Sequence, residues 1–145
     1  MYDKLLTFSN AQVIADTAEV ESTYSVDLGN VTPKRQVGVG KPLFLEVWAT
    51  TTGATCNGQV LTIELMTAAG ATTIGGTVLD STTYTLAGST SALIWQVQLP
   101  MSGLLQHIGL TYNSDGNPNS TLAITAALTD APAAWQAYDS ALVVT

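Results

Sequence analysis

The feature that most constrains this chain is a two-residue alternation of apolar and polar side chains that recurs along its whole length. It is clearest in VESTYSVDLG (20–29), LFLEVWATT (43–51), QVLTIELMT (59–67), ALIWQVQLP (92–100), LLQHIGLTYN (104–113) and STLAITAALT (120–129). Such alternation, with this content of Val, Ile, Thr, Tyr and Trp, is typical of half-buried β-strands. Only DAPAAWQAYDSAL (130–142) is compatible with a short helix. The sequence therefore predicts an all-β protein.

The connections between these segments are rich in turn-forming residues. They contain Asn57-Gly58, Gly75-Gly76, Gly88, Pro100 and Asp115-Gly116. An Asn-Gly pair favours a tight hairpin, and proline ends a strand because it cannot donate to the ladder. Strands at this spacing predict an antiparallel sandwich, barrel or jelly roll. The chain has 145 residues, without a linker or a fixed-period repeat, so we expect one domain over residues 1–145.

Charged residues are scarce in this chain. They make up 10% of it, against about 25% in an average soluble domain. Hydrophobic residues make up 46%, and the hydroxyls of 22 Thr and 10 Ser supply much of the polar surface. A surface of hydroxyls loses its water at lower cost than a surface of ions. Two interpretations stay open: other subunits cover much of the surface, or the chain is a mildly hydrophobic monomer.

The balance of charge argues against two classes of partner. The net charge is −7, and the basic residues are Lys4, Lys34, Arg35 and Lys41. A phosphate-binding surface needs several clustered cations, so we expect neither nucleic acid nor an anionic membrane as a partner. The single cysteine, Cys56, allows no intramolecular disulfide and no multi-cysteine metal site. The chain shows no signal-peptide pattern and no membrane-spanning run, which predicts synthesis in a cytoplasm.

Few residues could carry catalysis. His107 is the only histidine, and no nucleophile-elbow motif accompanies it, so we expect a strand histidine that is hydrogen-bonded at a sheet surface. Glu46 and Glu64 could form a glycosidase pair if their strands were adjacent, but two surface or interface acids are the favoured interpretation. Trp48 shares the predicted face of Glu46, which leaves a sugar-binding surface open. The stretch 113–117 lacks the closing glutamate of a Ca²⁺ loop and is expected to be a polar turn. We predict no metal and no cofactor.

The opening segment, MYDKLLTFSNAQVIADTAEVESTYSVDLGN (1–30), carries a family resemblance. It contains a D-K-x-L-x-F-S-x-A-Q run, followed by a hydroxyl residue and by D-L-G. The matching residues are Asp3, Lys4, Leu6, Phe8, Ser9, Ala11, Gln12, Thr23, Asp27, Leu28 and Gly29. Together with HIGLTYN (107–113) and the alanine-rich strand that follows, this pattern resembles the capsid cement, or head-decoration, proteins of tailed bacteriophages. The chain departs from that pattern at His107, where an aromatic residue is common, and after residue 130.

The resemblance implies a β-sandwich of jelly-roll type on the outer surface of a phage head. Proteins of this family bind the major capsid protein and bridge neighbouring capsomers; they are not enzymes and need no cofactor. On this basis we expect the major capsid protein as a partner, self-association as a dimer or trimer, and synthesis in the host cytoplasm. The expected partner-binding residues are Leu5, Leu6, Phe8, Lys34, Arg35, Lys41, Trp135 and Tyr138.

The apolar N-terminal strand has two possible roles. It could clamp onto a sheet edge, in its own fold or in a neighbour's, or it could be a plain first strand of the sandwich. Two other functions stay open beside the capsid role. One is a carbohydrate- or receptor-binding jelly-roll module of a virion, which would use Trp48 and Glu46. The other is a hydrolase that would use His107 or the pair of Glu46 and Glu64.

Overall fold

The computed structural model describes residues 6–15, 17–29, 42–51, 54–88, 91–100, 102–119 and 121–131. The strands are β1 (Thr7–Ile14), β2 (Val20–Glu21), β3 (Val26–Asp27), β4 (Phe44–Thr51), β5 (Val60–Ala68), β6 (Thr77–Thr85), β7 (Ser91–Gln98), β8 (His107–Ser114) and β9 (Leu122–Thr129). A short 3-10 turn covers Ala54–Cys56. The described residues include no α-helix. The prediction of an all-β protein is confirmed, whereas the helix considered at 130–142 lies almost wholly outside the described residues.

Two antiparallel sheets face each other. Sheet A has the strand order β1-β9-β4-β7, and sheet B has the order β2-β8-β5-β6. Strand β3 also pairs with β8, next to β2, so these two short strands together fill one strand position. Strands that follow one another in the chain often lie in opposite sheets, which is the double Greek key of a jelly roll. The predicted β-sandwich of jelly-roll type is confirmed.

The core lies between the sheets and follows the alternation in the sequence. Every second residue of β4, β5, β8 and β9 is buried there. The inward-facing side chains of these strands include Leu45, Val47, Ala49, Leu61, Ile63, Leu65, Ile108, Leu110, Tyr112, Leu122, Ile124, Ala126 and Leu128. Burying each large apolar side chain contributes about 1.5–3 kcal/mol. The residues between them lie on the outer faces of the two sheets, and any binding chemistry of the strands must come from there.

The segment 20–29 is not the single strand that its alternation predicts. Ser22 makes a backbone hydrogen bond to Leu110 of β8 at 2.8 Å, but the Tyr24 amide donates instead to the Phe8 carbonyl of β1 at 2.9 Å. The chain thus turns from sheet B towards sheet A between β2 and β3. Tyr24, predicted to lie on the apolar face, is 48% exposed as a result.

Two further predictions differ from the structure. Asn57-Gly58 does not form a hairpin, because it connects β4 of sheet A to β5 of sheet B. Gly58 still has a positive φ of 81°, the conformation that the Asn-Gly pair favours. Strand β6 was absent from the predicted strands. Its TVLDSTTYT sequence (77–85) places Thr and Ser on both faces, and most of its side chains are exposed or half-buried at the edge of sheet B.

Candidate functional site

Two of the expected partner-binding residues lie in the described part of the chain, and both contact the protein's own core. Phe8 is 0% exposed, and Leu6 is half-buried against the same core cluster. Strand β1 pairs with β9 and forms the edge of sheet A. Thr7–Ile14 therefore form the first strand of the protein's own sandwich, and Phe8 is not a surface residue. The other expected contact residues lie outside the described residues: Leu5, Lys34, Arg35, Lys41, Trp135 and Tyr138.

A polar network, which we call the β1 tie, fastens β1 to sheet B. The Ser9 hydroxyl lies 2.8 Å from the Tyr112 hydroxyl and donates to Oε1 of Gln12, also at 2.8 Å. The same Gln12 oxygen accepts hydrogen bonds from the amide and the hydroxyl of Thr23. The Gln12 amide group donates to the carbonyl of Glu21 at 2.7 Å. Ser9, Gln12 and Thr23 are all residues of the family-like motif, so this part of the motif serves the fold.

Tyr112 gives the β1 tie a buried phenol. Its side chain is fully buried between the sheets. Burial raises the pKa of the Tyr112 phenol far above its usual value, and the hydrogen bond with Ser9 opposes that rise only in part. The phenol therefore stays neutral at any physiological pH, and it acts as a structural hydrogen-bonding group.

The D-L-G part of the motif is also structural. The Asp27 carboxylate accepts a hydrogen bond from the Gly29 amide at 2.7 Å, and Gly29 has a positive φ of 82°. Leu28, between them, is buried in the core. A residue with a side chain would be strained at the Gly29 position, which explains the glycine there.

Glu46 and Trp48 share the outer face of sheet A, as the alternation predicts. Glu46 is only 3% exposed, and its carboxylate accepts a hydrogen bond from the Gln96 amide at 3.1 Å. Trp48 is half-buried, and its indole Nε1 is covered without a hydrogen-bond partner among the described residues. This arrangement does not present an open aromatic platform beside a free carboxylate, so it gives the sugar-binding interpretation little support.

The paired-carboxylate hypothesis is wrong for Glu46 and Glu64. Glu46 belongs to β4 of sheet A and Glu64 to β5 of sheet B, and both side chains alternate with residues of the core between the sheets. The two carboxylates therefore project from opposite faces of the sandwich. They cannot flank a single glycosidic bond, since glycosidase carboxylates lie about 5–9.5 Å apart.

His107 lies half-buried at the start of β8. Its carbonyl oxygen accepts a hydrogen bond from the Thr67 hydroxyl at 2.9 Å. Its Nδ1 atom is buried and, within the described part of the chain, has no hydrogen-bond partner. The side-chain hydrogen bond that we expected is therefore missing at that atom. Among the described residues, no group of three or more His, Cys, Asp or Glu side chains could hold a metal ion.

The polar turn expected at 113–117 begins after Ser114, the last residue of β8, and it joins the two sheets instead of forming a hairpin. The Asp115 carboxylate accepts a hydrogen bond from the Val60 amide at 2.7 Å. The side-chain oxygen of Asn117 accepts one from the Asn119 amide, also at 2.7 Å. One of these oxygens holds the turn against the start of β5, and the other closes the turn itself, so both serve structural roles.

The outer face of sheet B holds a cavity that sequence reasoning missed. We call it the sheet B pocket. It has a volume of about 270 Å³, and its lining residues are Glu19, Thr62, Glu64, Thr111 and Asn113. The register pairs Thr62 with Asn113 and Glu64 with Thr111 across β5 and β8, which brings the four side chains onto one face. The alternation places these residues on an outer face. The sequence does not show which of the two outer faces is left uncovered by other parts of the chain.

One end of the same face is covered by residues 69–76, which we call the cap loop. The Glu21 carboxylate accepts hydrogen bonds from the Thr73 amide and, at 2.7 Å, from the Thr73 hydroxyl. Thr73 packs directly over Gly109 of β8, where a Cβ atom would come within 2.5 Å of the Thr73 hydroxyl oxygen. The glycine of the HIGL stretch is therefore required by the close approach of the cap loop.

Exposed apolar side chains surround this end of sheet B. Ile74, Val78 and Leu105, together called the apolar end, are all exposed. Each lies near Thr67: Val78 pairs with its neighbour Met66, and the Leu105 amide donates to its hydroxyl at 2.8 Å. Ile74 belongs to the cap loop, whose Gly76 packs against the Thr67 carbonyl. A group of exposed apolar side chains marks a possible contact surface.

The two comparisons of the sequence with known proteins found no match. No family model matches the sequence, and no curated protein matches it. Among the residues that the structure describes, no helix has the length and apolar character needed to cross a membrane.

Some solved structures are similar in shape. Dimeric latent PorU from Porphyromonas gingivalis matches over 90% of this chain and 12% of its own, with 11% identity and a TM-score of 0.44. A structure of infectious bursal disease virus, Gx strain, matches over 85% of this chain and 30% of its own, with 13% identity and a TM-score of 0.41. This chain thus spans a minor part of both proteins, and neither likeness is close enough to carry functional information.

Proposed function

We propose that this chain is a structural protein of a virion. In this proposal it decorates the outer surface of a phage head, where it binds the major capsid protein and bridges neighbouring capsomers. It acts by binding, without catalytic turnover and without a cofactor, and it self-associates as a dimer or trimer.

The observation that carries the proposal is the convergence of the motif residues in space. Ser9 and Gln12 come from the opening run, Thr23 from the second part of the motif, and Tyr112 from the HIGLTYN stretch. Tyr112 is 103 residues from Ser9 in the sequence, yet the four side chains form one hydrogen-bonded network. A chance match of short motifs would not be expected to place its residues together in this way. This convergence supports the proposal that the chain shares its fold with the cement proteins. The capsid role is inferred from that similarity.

The composition of the surface supports the proposal that the protein associates with partners. Charged residues are 10% of the chain, and the apolar end places Ile74, Val78 and Leu105 in solvent at one end of sheet B. Few charged side chains would lose their water in a contact, and burial of the apolar end there would be favourable. We assign this end to the contact with the shell.

In this mechanism, the stabilisation of the shell is the sum of the binding free energies of many copies. A head filled with DNA is under outward pressure, and a subunit that binds across a joint between capsomers adds its binding free energy to that joint. Many copies act on one shell, so a modest affinity at each site gives a large collective stabilisation.

The experiment that tests this function compares complete heads with heads that lack the protein. Genome release is followed by the fluorescence of a DNA-binding dye during a thermal ramp. We expect release at a lower temperature from heads without the protein, and recovery when the purified chain is added back. Coincident release curves with and without the protein would contradict the cementing role.

A further inference from the structure

The sheet B pocket contains polar groups that the fold does not use. Thr111 is only 2% exposed, it lines the pocket, and its hydroxyl makes no side-chain hydrogen bond within the described part of the chain. The carboxylates of Glu19 and Glu64 likewise have no ion pair or hydrogen bond to any described residue. The Thr111 hydroxyl is not one of the fully enclosed atoms without a partner, so it and the half-buried Glu64 carboxylate are open to water or to a ligand in the pocket.

The pocket lining selects a cationic ligand. Two carboxylates, the hydroxyls of Thr62 and Thr111 and the amide of Asn113 offer mainly hydrogen-bond acceptors. No aromatic side chain lines the pocket for stacking against a sugar ring. Only two carboxylates line the pocket, and the described residues contain no group of three or more His, Cys, Asp or Glu side chains that could hold a metal ion. The remaining class is an organic cation that carries several N–H donors.

The shape and size of the pocket favour a guanidinium group. Side chains directly opposite each other on paired strands lie about 4.5–5.5 Å apart, so Glu64 and Thr111 present acceptors across a short span. A planar guanidinium, with five N–H donors, can reach both at once, whereas an ammonium group is compact and strongly hydrated. The volume of about 270 Å³ lies just below the 300–1,000 Å³ of pockets for drug-sized ligands. It suits one side chain better than a whole small molecule.

We propose that the sheet B pocket binds the guanidinium group of an arginine side chain that a partner protein presents. In the bound state the Glu64 carboxylate and the Thr111 hydroxyl accept hydrogen bonds from the guanidinium, while Glu19 lies at the pocket and adds negative charge. Such a pocket would serve any partner that presents an arginine, so its existence is independent of the capsid role.

The test is an NMR titration of the whole chain with N-acetyl-arginine amide, which imitates an arginine within a peptide. We expect saturable shifts of the backbone amides of Thr62, Glu64, Thr111 and Asn113. Choline, at the same concentration, carries the same charge without N–H donors and should give no saturable shift. Shifts that rise linearly, or that are equal for choline, would overturn the proposal.

Three variants locate the binding. Glu64→Gln should weaken binding about tenfold, because the amide oxygen of Gln is a neutral acceptor and a hydrogen bond to a charged acceptor is stronger than one to a neutral acceptor. Thr111→Val keeps the side-chain shape and should weaken binding several-fold. Asp130→Asn removes the same unit of charge after the end of β9 in sheet A and should leave the affinity unchanged. Equal weakening by Glu64→Gln and Asp130→Asn would show a general charge effect and would contradict a specific pocket.

Discussion

The outer face of each sheet carries a glutamate in the middle part of a strand, and the two glutamates have different surroundings. Glu46 and Glu64 each lie near the middle of a strand and alternate with core residues in almost the same sequence pattern. Glu46, on sheet A, is 3% exposed and accepts a hydrogen bond from Gln96. Glu64, on sheet B, is half-buried and lines a cavity of about 270 Å³. One carboxylate is part of the structure, and the other is available for a ligand.

The difference comes from the neighbours and not from the strands themselves. Glu46 has an amide-bearing partner, Gln96, at the opposite position on β7. Glu64 is opposite Thr111 on one side and Ser81 on the other, and neither of their hydroxyls bonds to it. An acid on an outer face is therefore structural or available according to the partner that the register places beside it.

The largest expected effect tests this comparison directly. Glu46→Ala should lower the free energy of unfolding by about 2–3 kcal/mol, because it removes a charged hydrogen bond and leaves the Gln96 amide without its acceptor. Glu64→Ala should change it by less than about 0.5 kcal/mol, as is usual for a site without structural partners. Urea unfolding followed by tryptophan fluorescence measures both. Equal losses in the two variants would remove the distinction between the outer faces.

The second prediction concerns the part of sheet B that the cap loop covers. Gly109→Ala would place a Cβ atom 2.5 Å from the Thr73 hydroxyl oxygen, so the cap loop must shift. We expect a loss of about 1–2 kcal/mol and faster amide hydrogen exchange over residues 69–76. Gly70→Ala is the matched control, since a Cβ atom there meets nothing within 4 Å. Unchanged exchange in Gly109→Ala would show that Thr73 does not hold the loop on the sheet.

The third prediction concerns Tyr112, which joins the two sheets through the β1 tie. Tyr112→Phe removes the hydrogen bond to Ser9 and should cost about 1 kcal/mol at pH 7. The folded state raises the pKa of this phenol, so it holds the proton more tightly than the unfolded chain does. The corresponding stability is complete below pH ~10 and is lost above it, by up to ~1.4 kcal/mol per pH unit.

Urea unfolding at several pH values between 8 and 11 checks this sign. The wild-type protein should lose stability steeply above pH ~10, and Tyr112→Phe should lose less over the same interval. If both proteins followed the same pH curve, the buried phenol would not be the titrating group.

The smallest effect on stability, and the sharpest test of which face meets a partner, uses two exposed valines. Val13 lies on the outer face of sheet A and Val78 on the outer face of sheet B, within the apolar end. Replacing either by Ser should change stability by less than about 0.5 kcal/mol. Val78→Ser alone should weaken binding to the shell, by about tenfold if the side chain is fully buried there. Sedimentation binding measures this, and an equal loss with Val13→Ser would contradict the assignment of the contact.

Alternation was enough to predict an all-β fold, because inward-facing residues such as Leu45, Ile63 and Leu110 must be buried whatever the connections are. It left a sandwich, a barrel and a jelly roll open, and the jelly-roll sandwich was implied by the family resemblance. Alternation could not predict β6, whose edge position leaves both faces partly in water. It could not predict the turn at Tyr24 either, because the bond from its amide to Phe8 joins strands of different sheets. Both failures arise from contacts between residues that are remote in the sequence.

The candidate site was harder to predict than the fold. Among the residues of the resemblance, Phe8 is buried in the core, and Ser9 and Gln12 make hydrogen bonds within the fold. The sheet B pocket depends on the register of β5 against β8 and on where the cap loop ends. Neither can be deduced from one strand at a time, which is why Glu64 was first interpreted as a surface acid without a special role.

The most direct test of the central proposal is binding of the purified chain to phage capsids. Expanded empty capsids and the unexpanded precursor are each incubated with the chain, and the bound fraction is measured after sedimentation. The proposed capsid role predicts saturable binding to expanded capsids and little or none to the precursor, because in that proposal the chain bridges joints that only the expanded lattice would present. No binding to expanded capsids, at any concentration up to saturation of the joints, would contradict the account.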